Sequence, residues 1–354
     1  MLYIRNTVAI TGLAVLMTCS LGCGGESDGA DVSGSQSGGN VAGPAAQAGS
    51  WIDVGDGIEV AILSAKVASE PGGLMLDDDQ RPVAVEVAIV NTGGSFASVA
   101  EKPIKLLVGG EQLGIGMDST GASLAFEDEA LSPLALVDRL PPGMMIRGWS
   151  YFAPVMEADS EIAVLVGNAG NMMRPLADDQ IVAKVALAAG QSSDLPDTPA
   201  TPQPTLQLGE TLSGGAIDLT VHSVEKVENA RALEDNQVAY VVDVSLKNLK
   251  DEPANVSNAT VASYLMLISV DGKASDLGMI GMSAPDLAEG GGMTKMATWD
   301  SPLEPGAETR GKTLLVIPDG HGKLFLLANT ALGYHFSRDM AKIGNAPVGL
   351  YAIE

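Results

Sequence analysis

Two parts of this chain repeat one another in order and at nearly constant spacing, and that duplication restricts the possible folds more than any single motif. Val54-Gly55-Asp56-Gly57-Ile58-Glu59-Val60-Ala61-Ile62 corresponds to Ser213-Gly214-Gly215-Ala216-Ile217-Asp218-Leu219-Thr220-Val221, each with apolar residues at every second place. That period is the mark of a half-buried strand. Leu76-Asp77-Asp78-Asp79-Gln80 then matches Leu233-Glu234-Asp235-Asn236-Gln237. At the same offset, Val85-Glu86-Val87-Ala88-Ile89-Val90-Asn91 matches Val242-Asp243-Val244-Ser245-Leu246-Lys247-Asn248. Further on, a strand running into a Gly-containing turn (Leu106 to Glu111) is matched by Leu267 to Lys273. Leu140-Pro141-Pro142-Gly143, Arg147-Gly148 and Phe152 match Leu303-Glu304-Pro305-Gly306, Arg310-Gly311 and Leu315. Each copy ends in apolar strands, Ile162 to Val166 and Ile181 to Leu187 in the first, Lys323 to Leu327 and Val348 to Ile353 in the second. Short strands broken by Gly, Pro and Asp turns, with no long helical period, predict an all-β fold of two tandem β-sandwiches.

The rest of the chain falls around these copies. Residues 1–22 form an apolar leader, residues 23–50 a Gly/Ser/Asp tether expected to be disordered, and residues 51–190 the first sandwich. Residues 191–204, with Pro196, Pro199, Pro202 and Pro204, form a linker expected to be extended and semi-rigid; residues 205–354 form the second sandwich. Each copy is long enough to bury about two-thirds of its unfolded surface, so neither needs a disulfide or a metal to stand. Hydrophobic residues make up 46% of the chain and aromatics 4%, so the core must be built of Val, Leu, Ile, Ala and Met. Few aromatic platforms weigh against a carbohydrate-binding groove. A formal charge of -24 repels phosphate backbones and anionic lipid headgroups, so nucleic acid is not an expected partner.

The order of alternating strand, acidic loop, Val-x-Val-x-x-x-Asn strand, Gly-turn hairpin, Leu-x-Pro-Gly and Arg-Gly resembles the telokin-like, immunoglobulin-like domains of unknown function found in bacterial lipoproteins. Those are similar in turn to a small secreted mycobacterial antigen. The resemblance covers most of both copies and carries no catalytic residues. Trp149 and Pro154 of the first copy stand where the second has Lys312 and Ile317, and no immunoglobulin cysteine pair is present.

The N-terminus fits that resemblance. Arg5 precedes an apolar run from Val8 to Met17 that is too short for a permanent membrane helix, and Ser20-Leu21-Gly22-Cys23 follows. This is similar to a bacterial lipoprotein signal, in which Cys23 becomes the lipidated first residue; the departure is Ser20 where Leu is usual. Cys19 is the only other cysteine, and Thr18 before it suits that role less well than Gly22 before Cys23.

Chemistry-bearing patterns are sparse. Ser223-Val224-Glu225-Lys226 has the Ser-x-x-Lys spacing of penicillin-binding enzymes, but on a strand it points the two side chains to opposite faces. Gly281-Met282-Ser283-Ala284-Pro285 lacks the second glycine of a nucleophile elbow. The three histidines, His222, His321 and His335, all lie in the second copy without ligand spacing for zinc. Asp77, Asp78 and Asp79, with Glu234 and Asp235, offer oxygen ligands of the kind calcium takes, though a solvated turn is the favoured explanation. Trp51, Trp149 and Tyr151 are assigned to packing rather than to an exposed patch. The expected function is therefore non-enzymatic and without cofactor: an envelope protein, attached to the membrane through a lipid on Cys23, that presents two immunoglobulin-like domains to an envelope protein partner. The alternative is capture of a small molecule or calcium outside the cytoplasm.

Overall fold

A computed structural model describes residues 43–353 except 74, 100–103, 115–118, 127–130, 135–138, 158–159, 170–173, 214–215, 228–236, 263, 276–298 and 331–346. The first repeat runs through β1 (Ala45–Ala46), β2 (Ile52–Asp53), β3 (Ile58–Val67), β4 (Val83–Asn91), β5 (Ile104–Val108), β6 (Glu111–Leu113), α1 (Ser119–Leu124), β7 (Met145–Phe152), β8 (Ile162–Gly167) and β9 (Ile181–Leu187). The second runs through β10 (Thr211–Leu212), β11 (Ile217–Lys226), β12 (Gln237–Asn248), α2 (Asn258–Ala262), β13 (Leu265–Ser269), β14 (Glu308–Pro318), β15 (Leu324–Asn329) and β16 (Val348–Ala352).

Each repeat is a sandwich of two sheets. In the first, β2-β3-β4-β7 faces β1-β9-β8-β5-β6; in the second, β10-β11-β12-β14 faces β13-β15-β16. The duplication extends to detail. β1 pairs parallel with β9, and Leu206 bridges Tyr351 in the same parallel sense. β3 shifts register against β4 between Ile62 and Ser64, and β11 shifts against β12 between Val221 and Ser223. Alternation builds the first core: Ile58, Val60 and Ile62 of β3 meet Val85, Val87 and Ile89 of β4 on the inner face. In the second, Leu219 and Val221 of β11 sit with Val242, Val244 and Leu246 of β12.

The repeated Asn and Leu-x-Pro-Gly motifs are halves of one clamp. The fully buried Asn91 side chain donates from Nδ2 to the carbonyls of Ser95 (2.8 Å) and Leu140 (2.7 Å), and its Oδ1 accepts from Gly93 N–H at 2.9 Å. Asn248 does the same with Glu252 (2.9 Å), Leu303 (2.9 Å) and the Lys250 N–H (2.9 Å). The turn glycines Gly143 and Gly306 both have φ 74°, a left-handed conformation that favours glycine, and each donates its N–H to the asparagine's carbonyl at 2.8 Å. The Arg-Gly motif is explained too. Gly311 leaves room for the Trp299 ring, which a Cβ would meet at 3.0 Å, and Gly148 leaves room for the backbone of Leu134.

Two findings change the domain layout expected from sequence. Residues 44–49 belong to the first sandwich rather than to a tether: Lys184 N–H donates to Pro44 O at 2.8 Å, and Gly49 N–H to Ile62 O at 2.8 Å. The proline-rich segment does not hold the repeats apart. It lies as a strap on the outer face of β3-β4-β7, where Leu195, Ala200 and Trp51 pack on Ala61, Leu63, Ala88, Val90 and Met145. Along the β3 edge, Gly190 N–H donates to Ala65 O (3.0 Å), Ala65 N–H to Gln191 O (3.3 Å) and Ser193 N–H to Leu63 O (2.9 Å).

The repeats share a core. Leu265, Leu267, Leu326 and Tyr351 of the β13-β15-β16 sheet face their own sandwich, while Met266, Ile268, Phe325, Leu327 and Leu350 join the hydrophobic cluster of the first repeat. Backbone bonds reinforce the join: Arg147 N–H donates to Gly272 O at 2.8 Å, and Thr205 N–H to Leu350 O at 2.9 Å. Both repeats lie within one compact unit.

Two stability predictions arise here. Asn248→Leu strands the buried Leu303 carbonyl and removes part-buried bonds to Glu252 O and Lys250 N–H, and is expected to cost about 2 kcal/mol in urea unfolding; a loss below about 0.5 kcal/mol would remove the clamp from the stability argument. Phe325→Ala is expected to cost about 3 kcal/mol and to lower the transitions of both repeats together. Trp51 and Trp149 report on the first repeat and Trp299 on the second, so movement of the Trp299 signal alone would contradict the shared core.

Candidate functional site: the uncovered polar face of the second repeat

The same sheet face has opposite character in the two repeats. In the first it is apolar under the strap, at Ala61, Leu63, Ala88, Val90 and Met145. The corresponding positions of the second are Thr220, His222, Ser245, Lys247 and Glu308. No described residue lays a strap over them. Gly143 records the difference: a Cβ there would come within 2.0 Å of Thr201 O in the strap, whereas a Cβ on its counterpart Gly306 would meet nothing within 4 Å.

At the centre of this face, Arg310 grips Asp243 with two bonds, Nε to Oδ1 at 2.8 Å and Nη2 to Oδ2 at 3.1 Å. The pair is retained from the first repeat, where Arg147 Nε donates to Glu86 Oε1 at 2.7 Å, and there Ser64 Oγ adds a bond to Glu86 Oε2 at 2.8 Å. Arg310 keeps 58% of its side-chain exposure against 35% for Arg147, so the second guanidinium is the one open to a partner. The Arg310 hydrogen bond outweighs the cost of burial and, with the charges of Arg310, His222 and Lys312, holds the Asp243 carboxyl below its ordinary value of 3.8. Beside it, His222 Nε2 and the buried Ser245 hydroxyl share a hydrogen bond of 2.9 Å. Both Asp243 oxygens thus accept bonds from Arg310, while His222 Nε2 is engaged with Ser245.

The residues singled out from sequence are scattered. Asp77, Asp78 and Asp79 are exposed in a turn in which Gln80 N–H donates to Asp77 O at 3.0 Å, and the Gln80 side chain accepts the Asp77 N–H at 2.9 Å. No group of three or more His, Cys, Asp or Glu side chains poised for a metal occurs among the described residues. Glu234, Asp235, Gly281 to Pro285, His335 and Cys23 lie outside the described residues. Ser223 Oγ donates to Glu225 at 3.1 Å, and the register puts Ser223 and Lys226 on opposite faces, as strand alternation predicts. His321 is bound to Tyr240 OH at 3.1 Å and to Gly322 O at 3.0 Å. The aromatics pack. Trp51 Nε1 donates to Asp197 O at 2.9 Å; Trp149 lies against the cluster of Phe126 and Tyr151, with Lys66 Nζ 5.4 Å from its ring; Tyr151 OH donates to Leu131 O at 2.9 Å. Burial pushes the Tyr151 phenol up to about 12.

Arg310, Asp243 and the His222–Ser245 pair were not singled out as a site by sequence. The signal was available: the acid and the arginine recur at matched places while their neighbours change from Leu63 and Ala88 to His222 and Ser245.

No protein-family model matches the chain, and no curated protein matches it. Among solved structures, the yjhA protein from Bacillus subtilis aligns at 18% identity over 42% of this chain and 99% of its own, with a TM-score of 0.29. An uncharacterized β-sandwich protein from Clostridium difficile aligns at 12% identity over 44% of this chain and 99% of its own, with a TM-score of 0.25. A conserved hypothetical protein from Bacillus anthracis aligns at 22% identity over 34% of this chain and 87% of its own, with a TM-score of 0.22.

The ion pair carries a pH signature. Because the folded Asp243 carboxyl sits below 3.8, its contribution is full above that value and is lost as pH falls through the depressed folded value. The melting-temperature gap between wild type and Arg310→Gln is expected to be complete at pH 7 and to close on acidification below 3.8; a gap that is constant down to pH 2.5 would refute the assignment.

Proposed function

We propose that this protein is a non-enzymatic lipoprotein of the bacterial cell envelope, extracytoplasmic and membrane-anchored through Cys23, whose two fused telokin-like, immunoglobulin-like domains serve protein interaction. One observation carries the reading. The sheet face that the strap seals in the first repeat is open and polar in the second, centred on the exposed Arg310 guanidinium. A face of that kind offers hydrogen bonds and charge to a protein surface, and the buried faces around it hold it rigid. The leader, Cys23 and the strongly acidic composition support a location outside the cytoplasm. In this reading a lipid on Cys23 supplies the membrane attachment. No helix among the described residues is long and apolar enough to cross a membrane. The resemblance to a small secreted mycobacterial antigen belongs to the same reading.

Detergent phase separation of the expressed full-length protein tests the anchor. Wild type is expected in the detergent phase and Cys23→Ala in the aqueous phase, with the leader removed from the wild type. Equal partitioning of the two, with the leader removed in both, would end the lipid-anchor proposal.

A further inference from the structure

We propose that the outer edge of β11, from His222 to Lys226, is a docking site for an extended polar peptide segment of another envelope protein, which adds antiparallel to β11 and crosses the sheet toward Gly306. This deepens the interaction role proposed above and rests on it only for the source of the segment.

The first repeat shows what such an edge accepts. Beyond its register shift, β3 presents Leu63 O, Ala65 N–H and Ala65 O outward, and residues 190–193 of the strap take all three, with Ser192 bridging Ser64 in antiparallel sense. The strap then crosses the sheet and reaches Gly143 through Thr201. In the second repeat the equivalent groups are His222 O, Val224 N–H and Val224 O. β10 pairs only with Leu219 and Thr220, Gly209 N–H reaches Val221 O at 2.7 Å, and beyond that point no described residue bonds the edge. Val224 is partly exposed, and Glu225 and Lys226 are exposed. The far end of the path is open as well, since no described residue lies within 4 Å of a Cβ placed on Gly306.

A register shift and charged side chains are ordinary protection for a sheet edge. They do not exclude pairing here, because β3 has the same shift and a charged Lys66 where β11 has Glu225 and is nevertheless paired. The chemistry of the occupant follows from the floor of the path. Where Leu195 and Ala200 settle on Leu63 and Ala88, the second repeat presents His222 and Ser245, flanked by Thr220, Lys247 and Glu308. A segment with hydroxyl or amide side chains can bond the polar groups that the His222–Ser245 hydrogen bond leaves over, and an apolar one takes them from water without replacing those bonds. Backbone bonds to Val224 supply affinity, and the polar floor supplies selection.

The test uses the full chain carrying Cys23→Ala and two synthetic peptides. One is residues 188–201 unaltered; the other carries Leu195→Thr and Ala200→Thr. The polar peptide at saturation is expected to slow hydrogen exchange at the Val224 amide at least about tenfold and to shift the Gly306 amide resonance, with the unaltered peptide binding more weakly. Val224→Pro, which removes the outward N–H, is expected to abolish the shift of the Gly306 resonance. His222→Leu with Ser245→Ala restores the first repeat's floor and is expected to reverse the preference between the peptides, which keeps the test decisive even if Val224→Pro folds poorly. Unchanged Val224 exchange with both peptides at millimolar concentration would overturn the proposal, as would unchanged preference in the double variant. Protection of Val224 by concentration-dependent dimerisation without peptide would give the edge to a second copy and overturn it also. None of these outcomes depends on the lipid, so a failed titration beside a successful Cys23→Ala partitioning would sink only the docking site.

Discussion

A three-stranded sheet buried on both faces holds this molecule together. Sheets in sandwiches commonly cover one face and expose the other, with alternation in their strands to match. β13 and β15 do not alternate: Leu265-Met266-Leu267-Ile268 and Leu324-Phe325-Leu326-Leu327-Ala328 are apolar on both sides, and both sides are buried. Burying a side chain of that size is worth roughly 1.5–3 kcal/mol. The second repeat cannot be lifted off without exposing Met266, Ile268, Phe325, Leu327 and Leu350 together. Tandem domains often move as beads on a string; here the second sheet of one repeat is also a wall of the other.

Given that wall, the two copies have diverged in what they leave open. The linker between them has become the cover of the first repeat's outer face, and the residues beneath it are apolar because water does not reach them. The second repeat keeps the same strands, the same register shift and the same acid-arginine pair, but its matching face meets solvent and carries His222, Ser245, Lys247 and Glu308. The interaction role proposed for this protein follows from that asymmetry and not from any catalytic grouping.

Much of the fold was legible in the sequence because its signals are local. Alternation in Ile58 to Ile62 and Ile217 to Val221 gave the half-buried strands, and the all-β sandwich architecture followed from strands of that kind between Gly and Pro turns. The recurrence of Asn91 with Leu140 and of Asn248 with Leu303 marked a repeated feature, although only geometry shows that asparagine and turn are bonded. What escaped was non-local. Proline density in residues 191–204 describes an extended backbone equally well whether it spans solvent or lies on a sheet, and the apolar Leu195 and Ala200 were the hint. The short β1 has no alternation to show in a Gly/Ala segment, so residues 44–49 passed for tether. The open face was hidden for another reason: polar strand positions look the same whether they are merely solvated or present a partner surface.

The order in which the pieces leave the ribosome gives the two-faced sheet a further meaning. Every strand of the first sandwich is made by Leu187, but the strap follows it, and Phe325, Leu327 and Leu350 follow later still. Until then, the apolar surface that those residues cover stands open in the growing chain. Completion of the first sandwich therefore waits on β15 and β16, made long after its own last strand, so a product stalled before them is born with a sticky flank. That ties the soundness of the first sandwich to the sheet of the second.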